Sequence, residues 1–166
     1  MGTKGREIVR MNLNKLIGLL NKAYADEWLA YYQYWVGAKI AKGRMREAVM
    51  KELLEHADDE LKHAGMLADR IIQLGGTPLT DFTKLNDEAN CKYANPTNTD
   101  TAEILKQAID GEQCAIDVYN ALFKTLKDKD NLTYHTVLEI LEDEVEHEED
   151  FQALLEDVES VMKRKT

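Results

Sequence analysis

Residues 53–67 read LLEHADDELKHAGML. Leu53, Glu60, His63 and Leu67 fall at steps of seven, three and four, which is one face of an α-helix. A face bounded by leucines is a buried face, yet its middle holds a glutamate and a histidine. Residues 141–151, LEDEVEHEEDF, repeat the arrangement with Leu141, Glu144, His147 and Phe151. In both stretches the His follows the Glu at i+3, so they share a helical face about one turn apart.

Outward from these stretches the chain divides into four periodic segments. Segment A spans about 11–42, with the stripe Leu13, Leu16, Leu20, Ala23, Tyr31, Tyr34, Ala38, Ala41. Segment B spans about 44–74, from Met45 and Val49 through Leu53 to Leu67, Ile71 and Leu74. Gly43 separates them, and so short a turn makes A and B antiparallel neighbours. Gly75-Gly76 and Pro78 stop B. Segment C spans about 100–127, with Asp100 as N-cap, Glu103 in capping-box position, and the stripe Leu105, Ala108, Ala115, Tyr119, Leu122, Leu126. Segment D spans about 132–163, with Val137, Leu141, Phe151, Leu154, Val158 and Val161. Residues 75–99 are too many for a tight turn and suit a strap along the bundle, leaving B and C parallel, with a short helix at 81–89. The fold class expected is all-α, a four-helix bundle with a long B–C crossover, in a single domain over 1–166.

Each stripe carries polar residues where burial is due: Glu27 in A, Glu60 and His63 in B, Glu112 in C, Glu144 and His147 in D. A carboxylate in a dry core is costly unless compensated, and four close together also repel one another. Protonation relieves one or two of them at neutral pH, not all four. Two divalent cations offset four carboxylates charge for charge. In each Glu-x-x-His pair an oxygen and an imidazole nitrogen reach one ion, leaving the second Glu oxygen for another. The competing view, ordinary surface contacts between Glu and His, fits a single pair but not two on buried stripes with lone glutamates on both other helices.

The rest of the composition narrows the function. A net charge of −10 opposes a general nucleic-acid surface and suits small cations or plain solubility. Residues 1–10 lack the apolar run of a secretory signal, and no apolar stretch approaches the roughly 20 residues that span a bilayer. A cytoplasmic protein without membrane contact is expected, and Cys91 and Cys114 there default to free thiols.

These residues resemble the bacterioferritin branch of the ferritin-like family over Leu13 to Glu159. The closest stretches are Glu27 with Gln33-Tyr34, Asp59-Glu60 with His63-Ala64, and Ile140-Leu141 with Asp143-Glu144 and His147. The resemblance implies a di-iron site inside each subunit, with Glu60 and Glu144 bridging, Glu27 and Glu112 terminal, and His63 and His147 each completing one ion. It also implies a ferroxidase that oxidises Fe2+ with H2O2 or O2, stores iron and protects against oxidative stress. Three departures matter. Leu61 stands where bacterioferritin has its haem-ligating Met, so haem is not expected. No segment remains for a fifth helix, and the crossover is longer and contains Cys91. Those features resemble the Dps-like proteins called thioferritins, which implies a homo-oligomeric twelve-subunit shell and a Cys91–Cys114 disulfide of possible redox use, against two ordinary buried thiols. Cys114, about 200° around the helix from Glu112, points away from the metal core, so direct thiolate ligation is not expected.

Several assignments stay open at this level. Tyr34, one heptad after Glu27, is either an electron donor or a core aromatic. Glu55, His56 and Asp59 read as a solvated charged face rather than a mineral-nucleating patch. Manganese is a possible alternative to iron, giving a peroxidase- or catalase-like enzyme. Lys4, Arg6 and Arg10 with Lys163, Arg164 and Lys165 are candidate DNA contacts that gain avidity over many subunits, although the acidic body disfavours DNA as a partner.

Overall fold

The computed structural model describes residues 2–163, and side chains through Val161. After a short N-terminal turn of helix, α1 (Lys4–Glu7), come the four long helices: α2 (Leu13–Ile40), α3 (Arg46–Gln73), α5 (Thr101–Leu126) and α6 (Asn131–Lys163). The crossover contains a 3-10 turn (Phe82–Lys84) running into α4 (Leu85–Glu88). The chain is thus an all-α four-helix bundle with one long crossover.

Local chemistry sets the helix ends. Asn12 caps α2 by accepting from the Lys15 amide at 2.9 Å, and Asp100 caps α5 by accepting from the Ala102 amide at 3.0 Å. The capping box expected with Glu103 does not close: the Asp100 amide donates to Asn98 Oδ1 at 3.0 Å, and Glu103 accepts from Lys106 at 2.9 Å. The α2–α3 turn needs left-handed backbone, supplied by Gly43 at φ +116 and Met45 at φ 50. A Cβ on Gly43 would also stand 3.2 Å from the Asp100 carboxylate.

That last contact fixes the topology. The Lys42 amide donates to Thr99 O at 2.7 Å and the Thr101 amide to Lys42 O at 3.0 Å, so α5 starts where α2 ends and α3 begins. Helices α3 and α5 therefore run in the same direction. The crossover climbs beside α2 through a ladder of side-chain contacts. Asn21 bonds Thr77 O and the Leu79 amide, Asp26 holds Asn90 and Cys91, and Gln33 accepts from the Ala94 amide.

Apolar side chains gather in two large clusters along the bundle, with a smaller third of Ala25, Leu85 and Ala89 where the crossover meets α2. One large cluster contains Leu16, Leu20, Leu67, Ile71, Tyr119 and Ile140; the other contains Tyr34, Val49, Leu53, Leu105, Phe151 and Val158. Each fully buried leucine contributes about 1.5–3 kcal/mol, enough in sum to hold the helices together across a polar waist. That waist lies between the two large clusters, at residues Glu27, Glu60, Glu112 and Glu144.

Candidate metal centre

All four long helices feed the waist: Glu27 from α2, Glu60 and His63 from α3, Glu112 from α5, Glu144 and His147 from α6. Each of the six is at most 4% exposed. Their donor atoms form two overlapping groups, each drawn within 4.8 Å: Glu27, Glu60, His63, Glu144, and Glu60, Glu112, Glu144, His147.

The two shared glutamates divide their oxygens. Toward His63 Nδ1 they turn Glu60 Oε2 and Glu144 Oε1, each at 3.2 Å, with Glu27 Oε2 at 3.4 Å. Toward His147 Nδ1 they turn Glu60 Oε1 at 3.6 Å and Glu144 Oε2 at 3.8 Å, with Glu112 Oε1 at 3.8 Å. One oxygen of each shared carboxylate thus belongs to each group. The arrangement is suited to two cations side by side, with Glu60 and Glu144 between them.

The protein alone does not satisfy these atoms. Glu27 Oε2, Glu60 Oε1, Glu144 Oε1 and His147 Nδ1 are buried without a hydrogen-bond partner. Leaving such groups unpaired costs about 1–3 kcal/mol each, more where charged. Burial, then the neighbouring Glu27, holds the Glu60 carboxyl well above the ordinary range. Burial and Glu144 do the same to Glu112. Glu144 is pushed up to about 8 by burial, then by Glu60 and Glu27. For His63, burial opposes protonation, but the Glu144, Glu27 and Glu60 carboxylates facing its Nδ1 outweigh it and raise the imidazole above its usual value. Without cations the pocket gathers protons; with cations the same oxygens are free to ligate. The donor set, hard carboxylates with two imidazoles, fits divalent iron or manganese.

A second layer orients the first. His63 Nε2 lies 3.0 Å from Asp143 Oδ2, and His147 Nε2 lies 3.7 Å from Asp59 Oδ2. A carboxylate behind an imidazole sets which nitrogen faces the metal. Tyr34 donates to Glu112 Oε1 at 2.7 Å, and Tyr119 donates to Glu27 Oε1. Gly111 makes room for the first of these, since a Cβ there would come within 3.3 Å of the Tyr34 hydroxyl. A cavity of about 40 Å³ lined by Asp26, Glu27, Tyr34, Glu60, Cys91 and Glu112 joins the pocket to the crossover. Cys91 and Cys114 form a disulfide with Cα atoms 6.0 Å apart, pinning the crossover to α5. Asp26 anchors the same point by accepting from the Asn90 side chain and the Cys91 amide, each at 2.7 Å, while its burial lifts its carboxyl to about 7.

Several functional candidates lie elsewhere than the sequence suggested. His56 is not on a solvated face: it is 4% exposed and stacks on His147 with ring centroids 4.1 Å apart. It sits one turn before Glu60 on the same inward stripe, whereas Glu55 turns outward to Lys51 at 2.8 Å. Tyr119 was readable as core alone, yet its seven-residue step from Glu112 repeats the step from Glu27 to Tyr34. At the N-terminus Lys4 is engaged with Glu7 at 2.8 Å. Arg164 and Lys165 lie outside the described residues, as does the side chain of Lys163.

The bundle and its carboxylate–histidine waist define the class. The chain matches the Ferritin-like domain over residues 17–161 and belongs to the ferritin-like family. It is 37% identical over 147 residues to the DNA protection during starvation protein of Pyrococcus furiosus, covering 87% of this chain and 79% of that one. Among solved structures it is similar to a dodecameric thioferritin, the bacterioferritin-related protein of Bacteroides fragilis. There the TM-score is 0.95 and the identity 40%, with 98% of each chain covered. A ferritin-like, diiron-carboxylate protein of Bacillus anthracis str. Ames aligns with a TM-score of 0.73 at 26% identity, over 87% of this chain and 99% of that one. No helix among the described residues is long and apolar enough to cross a membrane.

Proposed function

We propose that this protein is a ferroxidase and iron-storage protein of the Dps-like type, working in the cytoplasm as a twelve-subunit shell that protects against oxidative stress. The observation that carries the reading is the division of the Glu60 and Glu144 oxygens between two histidine-anchored donor groups. The likeness to a dodecameric thioferritin supports the shell. Fe2+ is the substrate. Two Fe2+ ions each give up one electron, the O–O bond of H2O2 breaks, and two protons are taken up to leave two waters. With O2 the same two electrons and two protons give H2O2.

The chain's own residues do the positioning. Glu60 and Glu144 hold the two substrate ions at one distance, so both electrons leave in one event and hydroxyl radical is not released. Glu27 and Glu112 close the two ends, each held in place by a tyrosine hydroxyl. His63 and His147 favour Fe2+ over Mg2+ or Ca2+. The Tyr34 phenol, buried 5.3 Å from Phe151 between ring centroids, stands within hydrogen-bond reach of a ligand and can pass an electron inward.

Anaerobic loading with Fe2+, followed by H2O2 or O2, tests the reading. Two irons oxidised per chain are expected, with loss of that stoichiometry in Glu60→Ala and Glu144→Ala. Metal analysis of protein purified without added metal separates iron from manganese, which the same donors accept. The Pyrococcus relative's name favours a second activity, protection of DNA by association. The net charge of −10 works against it. A gel shift whose strength falls with salt, and which is lost on removing residues 163–166, would establish it.

A further inference from the structure

A further set of donors converges on His56, outside the six residues above. Nε2 of His56 lies 3.3 Å from Glu52 Oε1 and 3.7 Å from Asp150 Oδ2. The ring is wedged between His147 and Phe151, with centroids at 4.1 and 4.4 Å, and its Nδ1 is buried without a hydrogen-bond partner. The donor atoms of Glu52, His56 and Asp150 lie within 4.8 Å of one another. Lys51, the lysine next to Glu52, pairs with Glu55 instead of closing the group. Two carboxylates are therefore drawn together on one imidazole by three different turns of helix, from α3 and α6. A merely solvated acidic face would leave its imidazole in water and its carboxylates apart.

We propose that Glu52, His56 and Asp150 bind a single divalent transition-metal ion, a third site beside the dinuclear pocket. Donors each about 2.1 Å from one ion at tetrahedral angles stand about 3.4 Å apart. The two spacings from His56 Nε2, 3.3 and 3.7 Å, lie close to that value, and all three donors fall within 4.8 Å of one another. One imidazole with two carboxylates suits Fe2+, Co2+, Zn2+ or Mn2+ rather than Mg2+ or Ca2+. Glu52 and Asp150 have side chains 26% and 46% exposed, which leaves the ion open to water and to exchange. His56 also offers a donor within 4.8 Å of donors of Glu112 and His147. An ion on His56 is thus one imidazole away from the dinuclear pocket, a staging position for Fe2+ moving in or out. The staging role rests on the ferroxidase reading; the metal site does not.

Co2+ titration of the metal-stripped full chain near neutral pH, followed by calorimetry and visible absorption, tests the site. Wild type should bind three Co2+ per chain, and the Glu52→Gln/Asp150→Asn variant two. Both substitutions fall on part-exposed side chains and spare the fold. Glu60→Ala/Glu144→Ala should keep one ion, and His56→Ala added to it should remove that one. Equal stoichiometry and affinity in wild type and Glu52→Gln/Asp150→Asn would overturn the proposal. A wild type binding one ion, lost in Glu52→Gln/Asp150→Asn, would keep this site and remove the dinuclear reading instead.

Discussion

The Tyr34 hydroxyl donates to Glu112 Oε1 at 2.7 Å, linking α2 to a carboxylate of α5. Tyr119 returns the contact from α5 to Glu27 of α2. Each tyrosine follows one glutamate by seven residues and serves the other, so the pocket has an approximate internal two-fold arrangement. Hydrogen bonds to a charged acceptor contribute about 1.5–3 kcal/mol. Tyr34→Phe should therefore weaken the cation on the Glu112 side about 10- to 100-fold while leaving the other nearly unchanged. Co2+ isotherms in the Glu52→Gln/Asp150→Asn background resolve the two steps; equal weakening of both would contradict the arrangement.

Gly111→Ala approaches the same contact from the other side. Alanine gains about 1 kcal/mol over glycine inside a helix, but its Cβ would press the Tyr34 hydroxyl at 3.3 Å. The expected outcome is a melting temperature that holds or rises together with slower Fe2+ oxidation. Unchanged oxidation would mean that the tyrosine does not set the geometry of Glu112.

Protonation gives a signed expectation for the metal-free protein. Glu144 is lifted to about 8, by burial first, and His63 is raised by its carboxylate neighbours. For both groups the folded value exceeds the unfolded one. Their stabilising contribution is complete at low pH and is lost as pH rises through the folded values. His56, lowered to about 3 by burial and by His147, acts oppositely but only below its ordinary range. Between pH 7 and 9 the stripped protein should thus lose stability as pH rises, and added Co2+ or Fe2+ should restore it. Metal binding should also release protons, so affinity should rise about tenfold per unit rise in pH for each proton displaced. Calorimetry in buffers of different ionisation enthalpy counts those protons.

The Cys91–Cys114 bridge closes a loop of 23 residues' separation, for which chain entropy suggests about 3 kcal/mol. Cys114→Ser should lower stability by that order under oxidising conditions and by nothing under strong reductant. Because Cys91 lines the cavity leading to the pocket, the variant should also change the rate at which stored iron is released by a chelator. Identical release rates would remove any redox role for the bridge.

How far the sequence reaches depends on what each residue contradicts. Glu27, Glu60, Glu112 and Glu144 were legible because each breaks an apolar stripe where charge is costly. The antiparallel α2–α3 pair followed from Gly43, and the parallel α3 and α5 from the length of 75–99. Tyr119 was hidden because an aromatic on a stripe satisfies the pattern without its hydroxyl being considered. His56 was misplaced because Glu55, Asp58 and Asp59 around it make the local stretch look solvated, although its register is inward. Asn21, Asp26 and Gln33 gave no sign of guiding the crossover, since polar side chains on an outer helix face are ordinary until a strap lies on them.

The central claim is that Glu60 and Glu144 stand between two cations. Anomalous diffraction at the iron edge, from crystals loaded anaerobically with Fe2+, tests it most directly. Two iron peaks are expected, each touching both of these carboxylates, one beside His63 and Glu27 and the other beside His147 and Glu112. An empty waist under saturating Fe2+, or a lone peak contacting only one of the two glutamates, would contradict the account.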